Sequence, residues 1–463
     1  MFHTPSAAQE VLNYGRSGAT RRPGYHPAVG SPAEGLSLFT DLYQLTMLQA
    51  YWRRGMNEPA TFELFVRHLP PNRRFLIACG LEHALSYLES LRFTAAAIER
   101  LRELGRFDDE FLRWLGELGF DGDVWAMREG EVFFAGEPLL RVTAPLPTAQ
   151  FVETFLLNAV LYPSGVASKA ARVVIAAEGR NVVDFSARRD HGVDAAVSAA
   201  RAAWIAGFQG TSNVLAGTTH PIPVFGTMAH SFVMSFDWEI DAFRAYAEEF
   251  PDATVLLVDT YKVEEGLRNA IEVGREMAGR GQTLRGVRLD SGDLISQARM
   301  ARAMLDEAGL RETTIFVSGD LNEWRVAEIV TSGAPVDGFG VGTELGVVAD
   351  APALPGVYKI VEYAGRARAK HSAEKATLGG RKQVWRRRPG DDVLALDGAP
   401  IEGARPLLAR VMDAGRVVGE RSVGEARERC AVGLAELPVE LRSLSECPAD
   451  SGPKPEVDAS LRA

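Results

Sequence analysis

Apolar positions recur at helical spacing in "TDLYQLTMLQAYWRRG", with Thr40 or Asp41 placed to cap a helix and Gly55 near its stop. The following "ATFELFVRHLP" alternates like a half-buried strand, and "GLEHALSYLESL" returns to helical period. Between 121 and 145, short apolar runs broken by Gly and Pro predict a small antiparallel sheet. The pattern gives an α+β region over 36–150, preceded by a Gly-, Pro-, Ser- and Ala-rich stretch over 1–35 that reads as a loose tail.

Over 151–345 the rhythm changes. Short apolar runs recur, each followed by a polar or Gly-rich break and then, usually, a helical stretch: "NVVDF", "PIPVFGTMAH", "ATVLLVD", "LRGVRLD", "TTIFV" and "VDGFGVG". Strand–loop–helix repetition of this kind is the sequence form of parallel β/α units. Strand-like "GVYKIVEYAG", "RARAKHSA" and "KQVWRRR" come next, then a charged helix at "VGEARERCAVGLAEL". This 346–445 segment is expected to pack with the N-terminal region, and 446–463 to be a second mobile tail.

Polar residues fall where such repeats place chemistry. Arg188, His230, Asp259, Arg288, Asp290, Asp320 and Thr343 lie at or just beyond the carboxyl ends of the expected strands. In a closed β/α barrel those ends share one rim, where active sites are built. Arg288 and Asp290 are two apart, so an extended strand turns both to one side. Taken singly, each has a plainer explanation. His230 reads as a packed core histidine, and the repeated "SGDL" at 291–294 and 318–321 reads as helix capping by Asp293 and Asp320. Coincidence at so many strand ends favours a polar barrel mouth.

Composition narrows the picture. A length of 463 residues asks for more than one core. The net charge of −10 argues against a nucleic-acid partner, yet leaves room for anionic small substrates opposed by local arginines. No apolar run approaches a membrane span, and three scattered cysteines give no metal or disulfide spacing, so a cytoplasmic protein is expected. Only seven of 51 basic residues are lysine, and Lys359, Lys370, Lys375 and Lys382 cluster within 359–382. That cluster is either a solvated surface or a set of flexible point charges that suit the segment's partner better than a guanidinium fork.

The segments "TDLYQLTM", "FSARRDHGVD", "GTSNVLAG", "GTMAHSFV", "LLVDTY", "GVRLDSGDL" and "GFGVGT" occur in an order and spacing that resemble bacterial and animal nicotinate phosphoribosyltransferases, from about residue 36 to 445. The resemblance implies the type II phosphoribosyltransferase fold: an irregular β/α barrel with an α+β sandwich-like domain formed from N- and C-terminal segments. It implies a homodimer with sites near the subunit contact. The reaction implied joins nicotinate to phosphoribosyl pyrophosphate, coupled to ATP hydrolysis, with Mg2+ on the pyrophosphate.

Residue roles follow from the same resemblance. His230 matches the histidine phosphorylated by ATP, and Asp290 is placed to meet ribose hydroxyls and oxocarbenium charge. Phe185 and Tyr43 match faces for the pyridine ring, with Tyr43 reaching in from a partner chain. Arg288 matches the cation beside the nicotinate carboxylate, with Arg188, Thr227 and Ser212 nearby. Ser318, Gly319, Asp320, Gly340, Gly342 and Thr343 match the phosphoribosyl cradle, and Lys370 and Lys375 are candidate polyphosphate contacts. Nicotinamide-specific relatives carry an aspartate near the position of Ser212, so nicotinate is the favoured base. The alternatives are a nicotinamide phosphoribosyltransferase and a non-catalytic barrel that binds phosphosugars. Lys262 and Gly379 depart from the family pattern, where an acid and a proline respectively are common.

Overall fold

The computed structural model describes residues 36–370, 377–419 and 422–461. The chain is a mixed α/β protein with two principal sheets. Six parallel strands form the first, in the order Gly210–Thr211, Asn181–Asp184, Gly338–Val341, Thr314–Val317, Gly286–Leu289 and Val255–Leu257. Its first and last strands do not pair with each other, and Thr211 instead makes an isolated bridge to Val224.

Buried apolar runs make these strands, and amphipathic helices cover them. The helix Val263–Gly279, for example, buries Leu267, Ala270, Ile271 and Met277, and each fully buried Leu, Ile or Met side chain contributes roughly 1.5–3 kcal/mol. Asp293 caps the helix Leu294–Glu307 by accepting from the Ser296 N–H. The second "SGDL" behaves differently. Asp320 sits in the left-handed region at φ 45°, and Asn322 caps Glu323–Thr331 in its place.

The second large sheet is antiparallel and has seven strands. It takes Pro59–Val66, Asp123–Met127 and Pro138–Pro145 from the N-terminal region, and Gly356–Tyr363, Arg366–Ala367, Leu408–Asp413 and Arg416–Val417 from the C-terminal one. The helix Glu153–Ala177 joins the two cores: Phe155 to Val160 pack beneath this sheet, while Val166 to Ala177 pack beneath the parallel one. A change of domain at residue 150 is therefore too early for the packing. A buried ionic group also ties the layers, with Lys169 Nζ 2.8 Å from both Glu323 and Asp350, and Arg73 2.6 Å from Asp350.

Several expectations need correction. "PIPVFGTMAH" forms no named strand: Pro221 and Pro223 lack the N–H a ladder needs, and only Val224 is bridged. His230 opens the short helix His230–Met234 and does not end a strand. The C-terminal segment does not pack wholly with the N-terminal region, because the helix Val423–Glu436 buries Ala426, Cys430 and Leu434 in the core of the parallel sheet. Residues 446–461 are tied down, with Cys447 N–H donating to Asn72 and Glu456–Val457 pairing beside Asp391–Leu396. "RARAKHSA" supplies strand only at Arg366–Ala367, and residues 371–376 lie outside the described residues, as does 1–35. Among the described residues, no helix is long and apolar enough to cross a membrane.

Candidate active site

At the carboxyl ends of the parallel strands, Arg288 and Asp290 leave Gly286–Leu289 on one side, as their spacing predicts. Arg288 is held at three points. Its Nε donates to Ser318 Oγ at 2.8 Å, its Nη2 to Asp290 Oδ1 at 2.6 Å and its Nη1 to Thr227 Oγ1 at 3.2 Å. Ser318 Oγ–H in turn donates to Asp290 Oδ1. The guanidinium carbon lies 5.2 Å from the Phe185 ring centroid, and Phe316 backs that ring at 5.8 Å.

Glycine makes room for this arrangement at two positions. A Cβ on Gly340 would come within 2.6 Å of the Phe185 ring. Gly319 has φ +98°, and a Cβ there would stand 2.1 Å from the Asp290 carbonyl oxygen. Any side chain at either point would push the ring or the Asp290 backbone out of place.

Asp290 is partly buried. Burial works to raise its pKa, but the Arg288 charge, the hydrogen bonds from Ser318 and Arg288, and the nearby His230 together hold it below the usual carboxylate value. Its other oxygen, Oδ2, faces His230 Nε2 at 3.8 Å. The opposite ring nitrogen, Nδ1, lies 3.1 Å from Thr260 Oγ1. His230 keeps 40% of its side chain exposed, so the ring is open to a solvent-borne reactant.

Asp259 supports this group from below. Its Oδ2 accepts the Asp290 N–H at 2.9 Å and the Ser291 hydroxyl at 2.7 Å, while its buried Oδ1 has no hydrogen-bond partner among the described residues. On the far side, buried Asp184 accepts from Ser186 N–H and Thr211 Oγ1, and burial raises its pKa against those hydrogen bonds. The Asp184 carbonyl accepts the Ser212 N–H at 2.8 Å.

The structure thus gathers Phe185, Thr227, His230, Arg288, Asp290 and Ser318 into one polar cluster with an aromatic floor. Other candidates stand apart from it. Tyr43 is exposed on the helix Leu42–Arg53 with its hydroxyl on Glu153, and touches none of the cluster. Arg188 is exposed beyond its strand and Asp320 sits in the bend after Gly319, while Gly342 lies against the Phe185 carbonyl and precedes the short helix opened by exposed Thr343. Lys370 is exposed with its N–H on Thr377 Oγ1, and Lys375 falls outside the described residues. Lys382 is structural, with its ammonium buried 2.8 Å from Glu63. Lys262 pairs with Glu265 at the surface and leaves Asp259 alone. Thr260 was not a candidate from sequence, because a threonine after a strand-end aspartate carries no signal until the fold brings it to His230.

Comparison with known proteins decides the family. The model described as the nicotinate phosphoribosyltransferase N-terminal domain matches residues 38–161, and the one described as the nicotinate phosphoribosyltransferase family matches 180–352. A nicotinate phosphoribosyltransferase of Mycobacterium tuberculosis, pncB2, is 48% identical over 416 residues, covering 89% of each chain. The chain belongs to the nicotinate phosphoribosyltransferase family. Among solved structures, human nicotinic acid phosphoribosyltransferase superposes with a TM-score of 0.80 at 30% identity, covering 91% of this chain and 98% of the other. A structure titled nicotinate-nucleotide pyrophosphorylase, from Pyrococcus furiosus, gives 0.72 at 26% identity, covering 90% and 99%.

Proposed function

We propose that the chain transfers phosphoribosyl from phosphoribosyl pyrophosphate to nicotinate, forming nicotinate mononucleotide and pyrophosphate in NAD salvage, with ATP hydrolysis coupled through a phosphohistidine at His230. The observation that carries the reading is the Arg288 guanidinium, fixed over the Phe185 ring face by Ser318, Asp290 and Thr227. A rigid cation beside an aromatic face suits a flat heteroaromatic ring that bears one carboxylate. The Thr227 bond, at 3.2 Å the longest of the three, is the one a substrate carboxylate can replace.

In this reading the pyridine nitrogen forms its bond to C1′ as the C1′–oxygen bond to pyrophosphate breaks. Asp290 keeps its negative charge, since its pKa is held low, and sits where positive character on the ribose needs an anion. The bend at Gly319–Asp320 and the helix start at Gly342–Thr343 take the 5′-phosphate, Lys370 supplies outer positive charge, and Arg188 adds a contact on the nicotinate side. Mg2+, bound with the pyrophosphate, would supply a hard cation to neutralise its oxygens. The ion's ligands would be mainly substrate oxygens, as is usual for polyphosphate chemistry. The six-stranded parallel sheet is read as part of an irregular barrel, and a homodimer would bring Tyr43 over the partner's ring site; its exposure beside exposed Phe39 and Leu42 supports that placement. A cytoplasmic setting fits these substrates.

Base selectivity tests the reading. The Ser212 side chain follows the edge strand beside Asn181–Asp184, whose next residue is Phe185. Ser212→Asp is expected to shift preference from nicotinate toward nicotinamide. A carboxylate about 4 Å from the substrate carboxylate repels it by up to ~4 kcal/mol at an effective dielectric near 20. With relaxation, a loss of roughly one to three decades in nicotinate kcat/KM is expected, while neutral nicotinamide, able to donate its NH2, loses little. Measuring kcat/KM for both bases decides: an unchanged ratio in an active variant would place Ser212 away from the ring substituent.

A further inference from the structure

One short corner of the chain, Asp259–Thr260, touches both members of the His230–Asp290 pair. Asp259 holds Asp290 through its backbone N–H, and Thr260 holds the His230 ring through Nδ1. The two ring nitrogens therefore face different groups. Nε2 looks toward a carboxylate at 3.8 Å, and Nδ1 toward a hydroxyl at 3.1 Å. A carboxylate held ionised favours a proton on the nitrogen that faces it, and a hydroxyl can donate to the nitrogen that lacks one. The neutral ring then carries its proton on Nε2 and presents its lone pair at Nδ1.

We propose that Thr260 is a positioning residue for phosphoryl transfer. Its hydroxyl fixes the imidazole so that Nδ1 is the acceptor, and it then donates to an oxygen of the bound phosphoryl group. This rests on the phosphohistidine reading above and adds which nitrogen reacts and what orients it. In the step, the Nδ1 lone pair forms a bond to the γ-phosphorus of ATP as the bond from that phosphorus to the ADP oxygen breaks. The proton stays on Nε2, where Asp290 stabilises the positive ring. Hydrolysis reverses the change at nitrogen: water supplies the oxygen of orthophosphate and the N–P electron pair returns to Nδ1. The main-chain position of Thr260, directly after buried Asp259, lets one strand end align the acceptor ring and its counter-charge together.

The experiment uses the full chain with Mg2+-ATP. Wild type, Thr260→Val and Thr260→Ser are mixed rapidly with ATP and quenched in alkali, phosphoenzyme is quantified, and 31P NMR of the denatured protein identifies the substituted nitrogen. Phosphate on Nδ1 in the wild type is expected, with a roughly tenfold slower rate of phosphoenzyme formation in Thr260→Val, the scale of one lost hydrogen bond. Thr260→Ser, which keeps the hydroxyl, should recover most of the rate. A purely structural role would lower thermal stability in Thr260→Val without changing the nitrogen or the per-molecule rate of folded enzyme. Phosphate on Nε2, or a wild-type rate in folded Thr260→Val, overturns the proposal. No phosphoenzyme in the wild type overturns the phosphohistidine reading itself, which distinguishes the two failures.

Discussion

Arg288→Ala is expected to remove roughly 1.5 to 3.5 decades of kcat/KM for nicotinate. Truncating one partner of a hydrogen-bonded charge pair costs about 2–5 kcal/mol, and each 1.4 kcal/mol is a factor of about ten. The loss has two parts. The substrate carboxylate loses its cation, which raises KM. Asp290 loses the charge that opposes its burial, so its pKa rises and the acid limb of kcat moves to higher pH. Arg288→Lys should recover charge but not the three-point hold through Nε, Nη1 and Nη2, leaving most of the defect in place. Steady-state kinetics from pH 5 to 8 check this. Wild-type nicotinate efficiency in Arg288→Ala would remove the residue from the ring site.

The second large effect concerns energy coupling. His230→Ala is expected to abolish stimulation by ATP while leaving weak ATP-independent transfer, because the ring and ribose contacts are assigned to Arg288, Phe185 and Asp290. A neutral imidazole is a good phosphoryl acceptor near physiological pH, and the His230 side chain, 40% exposed, is open to a phosphoryl donor from solvent. Intact-mass analysis should find an acid-labile phosphate on wild type incubated with ATP and none on the variant. Undiminished ATP stimulation in His230→Ala would end the histidine's role.

Part of this site was legible in the sequence because Phe185, Arg288, Asp290 and Ser318 lie in or directly after apolar runs that form strands. "GVRLD" fixed the shared side of Arg288 and Asp290 by period alone, and the turn residues after "TTIFV" and "VDGFGV" fell where expected. The segment before His230 misled, since its apolar content suggested a strand while Pro221 and Pro223 denied it ladder hydrogen bonds. The two-residue strand Gly210–Thr211 is too short to leave a periodic signal. Thr260, and the two-sided hold of Asp259, depend on contacts across 30 residues or more and have no local signature. The tail failed for a similar reason: a Pro-, Ser- and Gly-rich composition says nothing of a parallel partner such as Asp391–Leu396.

Direct detection of product tests the central claim. Purified protein is incubated with nicotinate, phosphoribosyl pyrophosphate and Mg2+, with and without ATP, and nicotinate mononucleotide and pyrophosphate are quantified by chromatography and mass spectrometry. Equimolar formation of both products, faster with ATP and accompanied by ADP and orthophosphate, is the expected result. Absence of nicotinate mononucleotide in both conditions, from protein shown to be folded, would contradict it.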